Sequence, residues 1–242
     1  MPVIDFHSHI LPRADHGSDS VETSCRQVAL QLGSGTDVVV ATPHFYPHRE
    51  NADAFLARRA RTAKKLCEAL PPEQAARIRV GAEVLICPGI AEMEGLELLT
   101  VAGTDVILLE LPFTTIGEAL VESVLEVREK GLVPVLAHID RYPPEPIEEL
   151  LRQGIMAQLN ASAFAGLFGG RRYMTHVAKG SVVALGSDLH GANRHEISAF
   201  VHARKKLGRY QAEVFERTAE LLRGATPLPA FVEQPVPVVK QA

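Results

Sequence analysis

Short apolar runs alternate with longer amphipathic stretches along almost the whole chain. The runs consist mostly of uninterrupted hydrophobic residues, which is typical of parallel strands that helices cover on both faces. They lie near residues 2–6, 38–41, 78–85, 106–109, 133–137, 156–159 and 182–185. The amphipathic stretches between them predict helices at about 18–33, 51–70, 116–130, 145–153, 171–180, 195–207 and 210–224.

This alternation predicts an α/β fold built from seven strand–helix units. A closed (β/α)7 barrel of the TIM-like kind is favoured over an open doubly wound sheet, because polar residues at nearly every strand end converge on one point only in a ring. We predict that this domain spans residues 1–224. Residues 225–242 contain four prolines and are predicted to form an extended C-terminal tail.

Two histidines follow the first apolar run, in the sequence Asp5-Phe6-His7-Ser8-His9. Because they lie two residues apart on a strand, their imidazoles project from the same face. Later runs also end in a histidine or a carboxylate, at His44, Glu83, Glu110, His138, Asp188 and His190. One polynuclear metal site accounts for all these positions, and a donor set without thiolates suits manganese, iron or zinc.

Composition and charge exclude several other classes of protein. The formal net charge is −4, so the chain has no general attraction to nucleic acid. No apolar run approaches the roughly 20 residues of a membrane span, and the N-terminus shows no basic leader, so we expect a cytoplasmic protein without membrane insertion. None of the three cysteines, Cys25, Cys67 and Cys87, starts the Cys-x5-Arg loop of a thiol-dependent phosphatase.

Read together, the motifs resemble the polymerase and histidinol phosphatase (PHP) family. Within it they are most similar to the metal-dependent protein-tyrosine phosphatases of bacterial capsule and exopolysaccharide loci. The resemblance covers the chain to about residue 224 and rests on the motifs that begin at Asp5, Asp15, Ala41, Gly81, Leu109, Ala137, Gln158 and Ser187. It implies a distorted seven-stranded barrel of the PHP type with three divalent metal ions, manganese before iron or zinc, at the C-terminal ends of the strands.

The resemblance also implies which side chains hold the metals, and Glu83 would bridge the first two. The three ligand sets are His7, His9, Glu83 and Asp188; Glu83, Glu110 and His138; and His16, His44 and His190. The related phosphatases carry Asp-Asp-Gly where this chain has Asp15-His16-Gly17. Asp15 is therefore the alternative to His16 as a ligand of the third metal.

The activity that the resemblance implies is hydrolysis of phosphotyrosine on a protein. The expected substrate is the tail of a bacterial tyrosine kinase of capsule or exopolysaccharide synthesis. Hydroxide activated by the metals would attack phosphorus while Arg141 and Arg194 stabilise the charge on the phosphate. Asp140 replaces the glutamate of the related His-Pro-Glu-Arg pattern and is the candidate general acid.

Three other functions stay open at this point. The nearest is hydrolysis of histidinol phosphate or another small phosphoester, because a metal site alone does not select the leaving group. A metal-dependent amidohydrolase is a further alternative, although no lysine ends a strand-like run to serve as a carboxylated bridge. The last is a weakly catalytic partner that regulates a kinase. Whether the chain forms a homo-oligomer is also left open.

Overall fold

Strands and helices alternate along the computed structural model, which describes residues 1–113 and 116–239. The strands are β1 (Ile4–Ser8), β2 (Val38–Ala41), β3 (His44–Phe45), β4 (Ile78–Val80), β5 (Glu83–Leu85), β6 (Val106–Glu110), β7 (Val133–Leu136), β8 (Met156–Asn160) and β9 (Val182–Gly186). The helices are α1 (Val21–Gly33), α2 (Ala52–Ala69), α3 (Pro72–Ala75), α4 (Glu118–Glu129), α5 (Pro144–Arg152), α6 (Met174–Lys179), α7 (Arg194–Leu207), α8 (Gln211–Leu221) and α9 (Leu228–Glu233). Short 3-10 turns lie at Ile90–Glu92, Leu96–Leu99, Ile139–Arg141, Ala161–Phe164, Arg171–Tyr173 and Gly208–Tyr210.

Every ladder between the described strands is parallel, which confirms the predicted α/β class. The ladders form a three-stranded sheet in the order β1-β2-β4 and a six-stranded sheet in the order β3-β5-β6-β7-β8-β9. The predicted single closed barrel is therefore not confirmed within residues 1–113 and 116–239. The second apolar run, residues 38–41, forms β2 and is followed after a break by the additional short strand β3, whereas the third run, residues 78–85, is broken into β4 and β5. Pro43, which cannot donate a ladder hydrogen bond, lies in the first of these breaks.

The C-terminal ends of the strands lie at one edge, and the ladder register fixes which residues are neighbours there. His44 is paired with Glu83, and Leu85 with Glu110. The first strand also contacts the last, since the amide of Asp188 donates to the carbonyl of His7 over 2.9 Å. Residues from both ends of the chain are thus brought to the same edge.

Most of the hydrophobic core lies between the six-stranded sheet and the surrounding helices, and a smaller cluster lies under α1 and α2. Phe6, Phe45 and Phe215 are among its fully buried side chains. Burying each such ring stabilises the fold by about 1.5–3 kcal/mol relative to exposure. The strands are consequently held rigidly, and their ends provide fixed positions for polar side chains.

The C-terminal segment departs from the predicted extended conformation. Residues Leu228–Glu233 form α9, and Leu228 is buried in the cluster under α2. Pro227 and Pro229 lie at the start of this helix, where a missing backbone N–H breaks no hydrogen bond within the helix. Residues 240–242 of the predicted tail lie outside the described residues. In the described part of the chain, no helix has both the length and the hydrophobicity needed to cross a membrane.

Candidate metal centre

Eight of the nine predicted metal ligands converge in one cluster. Most of them end or follow a strand, whereas His44 and Glu83 begin the short strands β3 and β5. The eight ligands form four overlapping groups, and within each group one ligand atom per side chain lies within 4.8 Å of the others. The groups are His9, His44 and His190; His7, Glu83 and His138; His7, His9 and Asp188; and His44, Glu83 and Glu110. All eight side chains are buried except His190, which is partly exposed.

The two histidines of the first strand direct their Nε2 atoms at each other across 3.1 Å. On the far side of each ring, Nδ1 faces an acceptor: Gln158 Oε1 lies 3.3 Å from His7 Nδ1, and Asp15 Oδ2 lies 2.7 Å from His9 Nδ1. These acceptors favour a proton on Nδ1, which leaves the Nε2 lone pair for the centre. Two facing lone pairs repel each other unless a cation lies between them. In the protein without metal, burial lowers the pKa of both imidazoles but the neighbouring carboxylates raise it above its ordinary value, so protons supply that positive charge. The pair therefore fits a metal ion.

Glu83 lies at the middle of the cluster and is fully buried. Its Oε2 atom is 3.2 Å from His7 Nε2, 3.4 Å from His9 Nε2 and 2.8 Å from His44 Nδ1. Its Oε1 atom is 2.8 Å from His138 Nε2. Burial raises the pKa of Glu83, but the positive charge of His7, the hydrogen bond with His138 and the nearby His44 lower it well below its ordinary value. The carboxylate stays ionised, with its two oxygens facing different histidines, as a bridging ligand requires.

A second buried carboxylate lies close to the first. Glu110 Oε1 is 3.7 Å from His138 Nε2, and its Oε2 is 3.8 Å from His44 Nδ1. Burial and the negative charge of Glu83 raise the pKa of Glu110 to about 8. Two buried carboxylates this close together are both ionised only beside a cation, and divalent cations are the largest local charges in sites of this kind. The donor set of imidazole and carboxylate therefore fits the metals predicted from the sequence.

Asp188 completes the group around the paired histidines. Its Oδ1 atom is 3.2 Å from His9 Nε2 and 3.7 Å from His7 Nε2. Asp188 and His138 both adopt left-handed backbone conformations, with φ values of 53° and 31°. Such conformations cost roughly 1–3 kcal/mol in a residue other than glycine and concentrate at functional sites. These backbone conformations direct the side chains of His138 and Asp188 toward the cluster.

The third predicted set is assembled only in part. His190 Nδ1 lies 2.9 Å from the carbonyl of Asp188, and its buried Nε2 has no hydrogen-bond partner among residues 1–113 and 116–239. Burial and the charge of His9 lower the pKa of His190 to about 4, so its Nε2 is available as a ligand. His16 is exposed and belongs to none of the four groups. Its ring instead stacks on His190 and His44, with centroids 4.6 and 5.0 Å away.

Asp15, the alternative ligand of the third metal, is engaged elsewhere. Besides contacting His9 Nδ1, its carboxylate accepts hydrogen bonds from the amides of Gly17 at 2.8 Å and His44 at 3.0 Å. Burial raises the pKa of Asp15, but the hydrogen bond and the charge of His9 lower it below its ordinary value. In this structure Asp15 orients His9 and holds the strand that carries His44.

The three predicted catalytic residues occupy different places. Arg141 lies at the rim with its side chain 41% exposed, and its guanidinium pairs with Asp188. Arg194 is exposed at the first position of α7. The carboxylate of Asp140 accepts a hydrogen bond from the amide of Asn160 at 2.9 Å, and burial raises its pKa. Of these three residues, Arg141 contacts a predicted ligand, Asp188.

Four polar residues that support the cluster were given no role from the sequence. Gln158 Oε1 accepts a hydrogen bond from the amide of His138 at 2.7 Å and also faces His7. The side-chain amide of Asn160 donates through Nδ2 to Asp188 at 3.0 Å, and Tyr142 Oη lies 3.1 Å from His138 Nδ1. Asp5 accepts a hydrogen bond from the amide of Ser187 at 2.8 Å. Such partners fix the orientation of metal ligands. The signal available in the sequence was the pair of polar residues, 158 and 160, in an otherwise apolar strand.

Comparison with known proteins shows one consistent family. A family model described as capsular polysaccharide synthesis, CpsB/CapC, matches residues 3–220. The chain is 26% identical to tyrosine-protein phosphatase YwqE of Bacillus subtilis over an alignment of 260 positions, which covers 99% of this chain and 98% of that protein. It is 28% identical to tyrosine-protein phosphatase CpsB of Streptococcus pneumoniae over 171 residues, 66% of this chain and 68% of that one.

A solved structure has the same fold. It belongs to a crystallographic study of YwqE from Bacillus subtilis and CpsB from Streptococcus pneumoniae, described there as unique metal-dependent tyrosine phosphatases. The TM-score is 0.71 at 23% sequence identity, and the alignment covers 93% of this chain and 96% of that chain. The likeness extends over nearly the whole chain and shows a shared fold.

Proposed function

The chain belongs to the CpsB/CapC family of capsular polysaccharide synthesis, and from this premise we propose that it is a metal-dependent protein-tyrosine phosphatase. The observation that carries the proposal is the buried cluster of imidazoles and carboxylates at the strand ends. Relatives that align along most of the chain are named tyrosine-protein phosphatases.

Three divalent metal ions, manganese first, are proposed to occupy the cluster. The proposed ligand sets are His7, His9, Glu83 and Asp188; Glu83, Glu110 and His138; and His16, His44 and His190. The facing Nε2 atoms of the first strand, the paired carboxylates and the unpartnered Nε2 of His190 support this assignment. His16 is included because its ring lies beside both other members of its set.

Bound divalent ions lower the pKa of water and neutralise phosphate oxygens, which is the chemistry that phosphoryl transfer needs. The chain positions its own groups for this task. Asp15 and Gln158 hold the rings of His9 and His7 by their outer nitrogens. Arg141 reaches Asp188 from the rim, where its remaining donors are accessible to a phosphate.

Secondary roles in catalysis are proposed for Arg194 and Asp140. Arg194 is exposed at the start of α7, from which a long side chain can reach a bound substrate. The raised pKa of Asp140 suits a proton donor, but its carboxylate is held by the amide of Asn160. A tyrosine leaving group, with a pKa of about 10, needs little protonation in any case.

We further propose that the substrate is a phosphotyrosine protein, namely the tail of a bacterial tyrosine kinase of capsule or exopolysaccharide synthesis. We also propose that the two sheets are parts of one distorted seven-stranded barrel. The short breaks between β2 and β3 and between β4 and β5 support this view. So does the parallel bridge between Ser8 of β1 and Leu189, which lies three residues after the end of β9.

The test of the activity is a direct comparison of substrates. Purified manganese-loaded protein is assayed with a phosphotyrosine peptide and with histidinol phosphate at equal concentrations. The proposal expects kcat/KM for the peptide to exceed that for histidinol phosphate by at least tenfold. Preference for histidinol phosphate would instead show a small-molecule phosphatase, and hydrolysis of neither would remove the phosphatase assignment.

A further inference from the structure

An exposed aromatic ring lies beside the candidate metal centre. Phe113 follows β6 by three residues, and 65% of it is exposed. Burial of a phenyl ring is favourable, so an exposed phenylalanine next to a polar site is a candidate contact for a bound ligand. The other exposed phenylalanine of the described chain, Phe168, lies under the guanidinium of Arg171 at 5.1 Å.

Phe113 stacks on two rings of the centre. Its centroid lies 6.2 Å from that of His138, with 16° between the ring planes. It also lies 5.7 Å from the ring of Tyr142, with an angle of 29°. These values fall within the range of offset-stacked aromatic pairs. One side of Phe113 is therefore fixed by packing, and the large exposed fraction is left to the solvent.

The position of this ring matches the shape of an aryl phosphate. His138 Nε2 is 2.8 Å from Glu83 Oε1, so the ring that supports Phe113 is itself part of the cluster. In phosphotyrosine a single ester oxygen separates phosphorus from the phenyl ring. A phosphate held at the cluster and near Arg141 consequently places that phenyl ring at the rim, within reach of a second stacked ring.

We propose that the exposed face of Phe113 stacks on the phenyl ring of the substrate and makes the site select aryl over alkyl phosphate monoesters. The inference rests on the proposed phosphatase function and names the residue that sets its substrate class. The phosphate is recognised at the cluster for every monoester. The additional contact is available only to a substrate that carries a planar apolar ring next to the ester oxygen.

Binding of phosphonates tests the inference without catalysis. Benzylphosphonate and methylphosphonate are not hydrolysed, and they differ in the ring alone. Calorimetric titration of manganese-loaded protein is expected to show benzylphosphonate binding about tenfold more tightly than methylphosphonate, as an aromatic stack and its burial imply. Phe113→Ala should reduce this ratio to below about threefold, whereas Phe113→Tyr, which keeps the ring, should preserve it.

Phe168→Ala is the matched control, since it removes a phenylalanine that is 66% exposed on a different loop. Metal content is measured for each variant. The inference is overturned if Phe113→Ala keeps the wild-type ratio, or if Phe168→Ala lowers it equally. A ratio that depends on Phe113 in a protein that does not hydrolyse phosphotyrosine would support the inference and overturn the proposed function instead.

Discussion

Glu83 is the residue on which the proposed centre depends most. Four histidines lie around its two oxygens. The carboxylate of Glu110 lies nearby, and burial together with the negative charge of Glu83 raises the pKa of Glu110. A buried carboxylate surrounded in this way contributes negative charge that balances bound cations. The surrounding histidines keep Glu83 ionised in the protein without metal as well, because they lower its pKa well below the ordinary value despite its burial.

Glu83→Gln keeps the size of the side chain and removes its charge. We expect metal occupancy and phosphotyrosine hydrolysis to fall together, activity by about 100-fold or more, while the fold is retained. Metal analysis, peptide assay and circular dichroism measure the three quantities. The exposed Glu129→Gln in α4 is the control and should change none of them. A Glu83→Gln protein with wild-type rate and metal content would disprove the bridging role.

Asp15 and His16 can be separated by metal stoichiometry. His16→Ala is expected to lose one metal ion selectively, whereas Asp15→Ala should keep the metal count and lower activity by about 10–100-fold through the orientation of His9. His16→Asp should restore much of the lost occupancy. Inductively coupled plasma analysis of the purified variants gives the counts. The assignment reverses if Asp15→Ala loses the ion and His16→Ala does not.

At the scale of the elements, the close packing of β1 on β9 positions the ligands. A Cβ atom at Gly186 would lie 2.6 Å from His7 Cβ and 2.6 Å from Gln158 Nε2. Real Cβ contacts are longer than this, so the strand that carries His7 approaches β9 only because residue 186 is glycine. The backbone of β9 at Gly186 therefore helps to fix the position of His7, although this residue contributes no side chain to the metal centre.

Gly186→Ala should displace His7 and Gln158. We expect it to destabilise the protein by about 1–3 kcal/mol and to lower metal affinity at the same time. Gly33→Ala, at the end of α1, is the control because a Cβ there meets nothing within 4 Å. Urea denaturation and metal titration of both variants check the expectation. Unchanged metal affinity in Gly186→Ala would show that His7 does not depend on this contact.

Much of the site was predictable because parallel strands place their C-terminal ends together. An apolar run that ends in Glu110 or is followed by His138 therefore identified a candidate ligand directly, whereas Glu83 begins a short strand of its own, β5. The supporting contacts were not predictable in this way. Gln31 lies on the buried face of α1, and its amide donates to Asp5 Oδ2 at 2.8 Å. The break before His44 and the helix after Pro227 depend on tertiary packing, which periodicity does not report.

At the scale of the whole molecule, the candidate centre joins distant parts of the chain. The hydrogen bond from the amide of Ser187 to Asp5 spans 182 residues, and that between Arg141 and Asp188 spans 47. The ligands therefore come together only when nearly the whole chain has folded. The extent of the family match, residues 3–220, agrees with a site that uses almost all of it.

Chelation followed by reconstitution determines whether this chain hydrolyses phosphotyrosine with bound metals and without a thiol. Activity on a phosphotyrosine peptide is followed while bound metal is removed and manganese is added back. We predict that activity disappears with the metal and returns with manganese, whereas alkylation of Cys25, Cys67 and Cys87 leaves it nearly unchanged. Full activity after exhaustive chelation, with no metal detected in the protein, would show that hydrolysis does not depend on a metal.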